Sequence, residues 1–172
     1  TPFGVKIYGG FNGTETNLSQ RDFNANPTIL SGDIQNDDNT TIAYNNSTKS
    51  DNSLHVLKIT SDDVLIDGIT IQNGNANGSS NDERGSGVFV NPTITNLTLK
   101  NSKIKNNVSR KAGVVTAYFT VNSSVTIESC VFDNNLSSWG TALYLLANGN
   151  GNTPKFKVYN SLFTNNKTQN ET

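Results

Sequence analysis

Four stretches of this chain repeat one pattern. VLIDGITIQNG from Val64, LTLKNSKIKNN from Leu97, VTIESCVFDNN from Val125 and FKVYNSLFTNN from Phe156 each read apolar, x, apolar, a two-residue turn, apolar or small, x, apolar, x, then Asn followed by Asn or Gly. Their starts lie 33, 28 and 31 positions apart. A recurrence of that length marks stacked units, in which each repeat buries its apolar face against its neighbours instead of closing a globule on itself.

The period inside each unit is two. Val64, Ile66, Ile69 and Ile71 alternate with other residues, which describes strands with one buried face and no helical stripe. The turn falls at the same place each time: Asp67-Gly68, Lys100-Asn101, Glu128-Ser129 and Tyr159-Asn160 bend the chain from one short strand into the next. A third strand also recurs, GSGVFV from Gly85, AGVVTA from Ala112 and GTALYL from Gly140. The expected fold is therefore all-β: a right-handed, single-stranded parallel β-helix with three strands per coil and coils of about 27 to 33 residues. Residues 1–172 form one β-helix domain, with irregular first coils and long loops over 1–60 and regular coils over 61–166.

Alignment of the units names the columns. Ile71, Ile104, Phe132 and Phe163 form one inward file, and Ile69, Ser102, Cys130 and Ser161 a narrower one. Asn73, Asn106, Asn134 and Asn165 follow just past the strand end, where Asn tolerates left-handed backbone angles and bonds nearby backbone groups. These Asn residues are structural ladders holding the turn. Asn is the commonest residue, and twelve Asn occur in N-x-S/T sequons, Asn107 and Asn135 among them; the crowding of Asn, Ser and Thr into corners accounts for them without glycans.

Composition narrows the partners. Thirteen basic residues balance fourteen acidic ones without a Lys/Arg run, so the electrostatic footprint of a nucleic-acid binder is missing. No stretch approaches 18 consecutive apolar residues, so no membrane-inserting helix is expected. The absence of Met and the opening Thr1-Pro2 suggest a piece of a longer protein with its targeting sequence upstream. The last coil lacks a capping element before its polar tail, so further coils of the same parent chain, or a partner, are expected to cover that end. Cys130 cannot form an intrachain disulfide, being the single Cys, and the single His, His55, is expected at a polar, outward position of the strand LHVLKI; Cys130 reads as a small buried hydrophobe.

Candidate chemistry is sparse. Glycoside hydrolysis needs two carboxylates about 5 to 9.5 Å apart, yet Asp67, Glu128 and Asp133 fall at different corners or strand ends. A calcium-assisted lyase needs an acidic cluster with a basic side chain in the same groove, and Arg21, Arg84 and Arg110 all fall in loops. The loop GDIQNDDN, with Asp33, Asp37 and Asp38, is the weak metal candidate; it lacks the fixed spacing of a calcium loop. No catalytic residue, metal or cofactor is assigned. In the third strand, alternation turns Val88, Val90, Leu143 and Leu145 inward and Phe89 and Tyr144 outward, with Tyr118 and Trp139 flanking them. These four aromatics are the candidate ligand contacts.

The repeats resemble those of the chlamydial polymorphic outer-membrane proteins. Phe132 to Asn135 and Phe163 to Asn166 match an F-x-x-N segment, Ile104 to Asn107 matches it with Ile for Phe, and Gly140-Thr141-Ala142-Leu143 is a relaxed G-G-A-I. Val5 to Ile34, followed by DNSLHVL and VLIDGITIQNG, is similar to the opening coils of pectate-lyase-like β-helix surface proteins secreted by Bacteroidota. The resemblance implies a secreted or cell-surface bacterial protein, a non-catalytic adhesin stalk or binding face for a glycan or a host or cell-surface protein. The alternative is part of a polysaccharide lyase or glycoside hydrolase with its catalytic residues outside these coils.

Overall fold

The computed structural model describes residues 4–119, 122–147, 151 and 153–169. The chain winds as a parallel β-solenoid of about 3 turns with about 31 residues per turn. Four parallel sheets run along it. The first stacks Lys6–Tyr8, Val64–Asp67, Asn96–Lys100, Ser124–Glu128 and Lys155–Tyr159; the second stacks Thr28–Ser31, Ile69–Gln72, Lys103–Lys105, Val131–Asp133 and Leu162–Thr164. The fourth stacks Leu57–Ile59, Val88–Val90, Val115–Phe119 and Leu143–Ala147. Between these, a third sheet of short strands, Asn75–Ala76, Val108–Ala112, Leu136–Trp139 and Lys167–Thr168, adds a strand per coil to the three expected. Residues 6–59 give one strand to each of three sheets, joined by long excursions over 9–27 and 32–56.

Leu30, Ile71, Ile104, Phe132 and Phe163 are in register. Ile71, Ile104 and Phe132 are wholly buried, and the rings of Phe132 and Phe163 stack 4.7 Å apart at 3°. Full burial of such a side chain stabilises by about 2 kcal/mol. The narrower file works by hydrogen bonding: Ser102 Oγ accepts from Ile69 N at 3.2 Å and donates to Lys100 O at 2.7 Å, and Ser161 Oγ accepts from Cys130 N at 3.1 Å.

Both strand corners are left-handed. Gly68, Asn101, Ser129 and Asn160 have φ of 77, 47, 53 and 52°, and Asn73, Asn106, Asn134 and Asn165 have φ of 60, 57, 51 and 53°. The second Asn of each pair does something different. Asn107 Oδ1 accepts from Gly74 N, Asn135 Oδ1 from Asn107 N and Asn166 Oδ1 from Asn135 N, at 2.9, 3.0 and 3.1 Å. Their Nδ2 groups donate back to Ile71 O, Ile104 O and Phe132 O at 3.1, 2.9 and 2.9 Å. A buried amide ladder thus supplies partners to backbone groups at the bend. Gly74 begins this file because a Cβ there would lie 2.1 Å from Ser86 O. Asn107 and Asn135 are 0% and 1% exposed, so neither sequon is open to a glycan in the folded chain.

Exposure returns at the end of the stack. Phe156, Val158, Leu162 and Phe163 are 38, 43, 56 and 43% exposed, although Val125, Ile127 and Phe132, one coil earlier, are buried in the same registers for Phe156, Val158 and Phe163.

Two substitutions separate these layers. Phe132→Asp, which places a carboxylate between Ile104 and Phe163, is expected to destabilise by about 4 kcal/mol or more, lowering the melting temperature by about 10 °C; an unchanged melting curve refutes the column. Asn135→Ala removes partners from two backbone groups and the neighbouring Asn166, for a loss of about 3 kcal/mol, whereas Asn134→Gly keeps the left-handed corner and costs under about 1 kcal/mol. Chemical denaturation of the two variants reads the difference directly.

Candidate functional site

The acidic side chains beside the coils are held by neighbours. Asp67, at the end of its strand, meets Arg21 at 2.9 Å, with both side chains under 10% exposed. Arg21 also donates to Gly9 O, Asp67 O and Leu18 O and lies over the rings of Tyr8 and Phe11. On the next two coils Lys100 and Glu128 follow Asp67 in register, and Lys100 pairs with Glu128 at 3.1 Å. That contact raises the Lys100 pKa and interposes a cation between the two acids. Glu83, nearly buried, is shared by Arg110 at 3.2 Å and Lys111 at 2.8 Å. Asp133 accepts from Thr164 Oγ1 and Asn165 Nδ2. Among the described residues, the acids on the coils are therefore spent on corner and strand-end contacts.

The acidic loop divides. Asp33 and Asp37 approach Asp51, with one carboxylate oxygen of each within 4.8 Å of the others, whereas Asp38 turns away to Lys49 at 2.7 Å. Asp51, distant in sequence, replaces Asp38 in the cluster because the loop folds back and Asp51 Oδ2 accepts from Ile34 N and Gln35 N. Asp33 likewise accepts from the N–H groups of Asp37 and Asp38. Three hard oxygen ligands suit a cation such as calcium, while these backbone donors already explain why Asp33 and Asp51 stand where they do. Lys49 is 1% exposed, and Asn52 Nδ2 ties its partner Asp38 to Asn73 O. The loop thereby clamps against the Asn corner, leaving a cleft of about 210 Å³ lined by Asp38, Lys49, Asn73, Asn106 and Asn134.

The aromatic file is shorter than its alternation suggests. Phe89, expected to face solvent, is 3% exposed. His55, from the preceding turn, lies across it with ring centroids 4.9 Å apart, and Lys58 Nζ lies 5.8 Å from its centroid. His55 is fixed there by Gly85 O and Asp82, so Phe89 is packing and not a contact for a ligand. Thr116, in register with Phe89 and Tyr144, is also buried. What stays open is a strip on the fourth sheet: Tyr118 and Tyr144, both half-buried, have ring centroids 5.5 Å apart, and the Arg84 guanidinium sits 5.0 Å over Tyr118. Burial pushes the Tyr118 hydroxyl above its ordinary pKa, with Arg84 opposing. Trp139 is 50% exposed on the strand leading to that sheet. Arg84 joins this strip unforeseen by the sequence; its signal was its position immediately before the repeated third-strand segment that begins at Gly85.

Cys130 is buried, and desolvation raises its thiol to about 11 from an ordinary 9.0. A raised folded-state pKa gives stability that is fully present below pH 9 and is lost as pH rises through about 11. Iodoacetamide is expected to leave Cys130 unmodified at pH 7 until the chain is unfolded. Cys130→Ser, which copies Ser102 and Ser161, is expected to remove that part of the melting-temperature decline between pH 9 and 11; equal alkaline declines in both proteins refute it. No protein-family model, curated protein or solved structure matches the chain.

Proposed function

We propose that this chain is a non-catalytic β-helix module of a secreted or cell-surface bacterial protein, serving as an adhesin stalk with a lateral binding face. The pectate-lyase-like, right-handed form of the fold and a Bacteroidota-type surface setting are part of the same proposal. The observation that carries it is the half-buried strip formed by Tyr118 and Tyr144 on one parallel sheet with Arg84 laid over Tyr118 from the preceding turn. Aromatic faces stack on the C–H faces of sugars or on a protein surface, and an adjacent guanidinium supplies donors to hydroxyl or carboxylate oxygens. The favoured partner is a glycan or a host or cell-surface protein. The occupied state of Asp67, Glu83 and Glu128 in ion pairs supports a role other than general acid or base.

A glycan array run beside a product assay on acidic polysaccharides tests this reading. Binding without cleavage is expected, with Tyr118→Ala/Tyr144→Ala weakening it about tenfold. Release of new sugar ends replaces the proposal with a lyase or hydrolase, and binding unaffected by the double substitution moves the face elsewhere.

A further inference from the structure

Among the described residues one lysine is buried, Lys49, at 1% exposure. Its ammonium group has three N–H donors, yet among the described residues it makes one hydrogen bond, to Asp38 Oδ2 at 2.7 Å. Asp38, whose side chain is 7% exposed, also accepts at Oδ2 from Asn52 Nδ2 at 3.0 Å, while its Oδ1 is buried without a hydrogen-bond partner among the described residues. Asn52 Oδ1 is equally without one. The buried pair of Arg21 and Asp67 differs, because Arg21 donates to Gly9 O, Asp67 O and Leu18 O as well. A buried ion pair with unmet donors and acceptors carries the desolvation cost of both charges and recovers only part of it.

Both groups are fixed by their surroundings. Lys49 ends the 3-10 helix Ser47–Lys49, where its backbone N–H donates to Asn46 O and its carbonyl accepts from Asn75 Nδ2. Asp38 N donates to Asp33 Oδ2, and Asn52, which aligns the Asp38 carboxylate, also donates to Asn73 O at the left-handed corner. An amine held in contact with a carboxyl group gains the high effective concentration of an intramolecular reactant. We propose that Lys49 Nζ and Asp38 Cγ join in an isopeptide bond, a covalent modification that the folded chain makes on itself.

The step balances within the pair. One proton passes from Nζ to Oδ2 along their contact, giving an amine beside a carboxylic acid. The Nζ lone pair attacks Cγ, a second Nζ proton passes to the Oδ2 hydroxyl, and the Cγ–Oδ2 bond breaks to release water as the Nζ–Cγ amide forms. No oxidant, reductant or co-reactant is consumed, and the cleft that Asp38 and Lys49 border receives the water. Two buried charges vanish together, and Oδ1 becomes a neutral amide oxygen, less costly to leave unpaired than a carboxylate oxygen. The bond closes residues 38–49 into a ring within the excursion over 32–56, a staple in a chain whose single Cys can form no internal disulfide. This does not depend on the lateral binding face proposed above.

Intact-mass measurement under denaturing conditions tests it. The native chain, once folded, is expected to be lighter than its sequence by one water, about 18 Da, whereas chain recovered unfolded and held in guanidinium keeps its full mass and loses the water on refolding. Trypsin is expected to release residues 22–58 as one peptide, uncut after Lys49, with backbone fragments between Asp38 and Lys49 missing. Lys49→Met, which has no nucleophile, and Asp38→Ala are expected to keep the full mass. A folded native chain at full mass overturns the proposal whether or not the variants fold. A water deficit that survives Lys49→Met overturns it in favour of a cyclised Asp, as at Asp67-Gly68. A deficit of one ammonia, about 17 Da, with Lys49 joined to Asn52, overturns the choice of Asp38.

Discussion

The whole stack depends on how a coil turns without leaving polar backbone unpaired. Strand hydrogen bonds run along the solenoid axis between coils, so a strand interior is satisfied by its neighbours above and below, but at each bend the peptide planes rotate out of that pattern. The side chains of Asn107, Asn135 and Asn166 supply the missing partners, each accepting from a backbone N–H one coil back and donating to a carbonyl of the same earlier coil. An amide carries its donor and its acceptor on two separate atoms of one short stem, so it spans a backbone N–H and a carbonyl that a single Ser hydroxyl would have to meet with one atom, and Asp has no donor. These rungs join successive coils one residue position after the Asn corner, beside the apolar columns.

That division of labour explains a division in what the sequence revealed. The column Asn73, Asn106, Asn134 and Asn165 stands out by identity, and its left-handed angles agree with the reason given for it. The more deeply buried ladder is one residue later, and its first member is Gly74, excluded from Asn by the approach of Ser86 O. A file that reads Gly, Asn, Asn, Asn looks less regular than its neighbour although it makes more bonds; the doubled Asn was the visible signal. The third sheet was illegible because its outer strands Asn75–Ala76 and Lys167–Thr168 are two residues long and its longer members, Val108–Ala112 and Leu136–Trp139, do not alternate in burial.

Long-range contacts set the other limit. Alternation gives the direction of Phe89 but says nothing of His55 and Lys58, which belong to the preceding turn and cover it. Likewise the acidic run 33–38 is local, while the choice between its members is made by Lys49 and Asp51 from the far side of the loop. In a solenoid the regular coils can be read because every contact repeats; the excursions between Tyr8 and Leu57 occur once, and their partners must be seen. The lateral strip suffers from both limits: its Tyr residues lie on repeated strands, but Arg84 reaches it from the turn.

The buried sequons carry a consequence for where such a chain can be made. Oligosaccharyltransferases of a eukaryotic secretory pathway act on the emerging polypeptide, before any coil has closed. A sugar attached to Asn107 or Asn135 at that stage would have no space in the finished stack, where both amides lie within the corner ladder. Folding and modification thus compete for the same two nitrogens, and production in a compartment lacking that machinery leaves the competition with a single outcome.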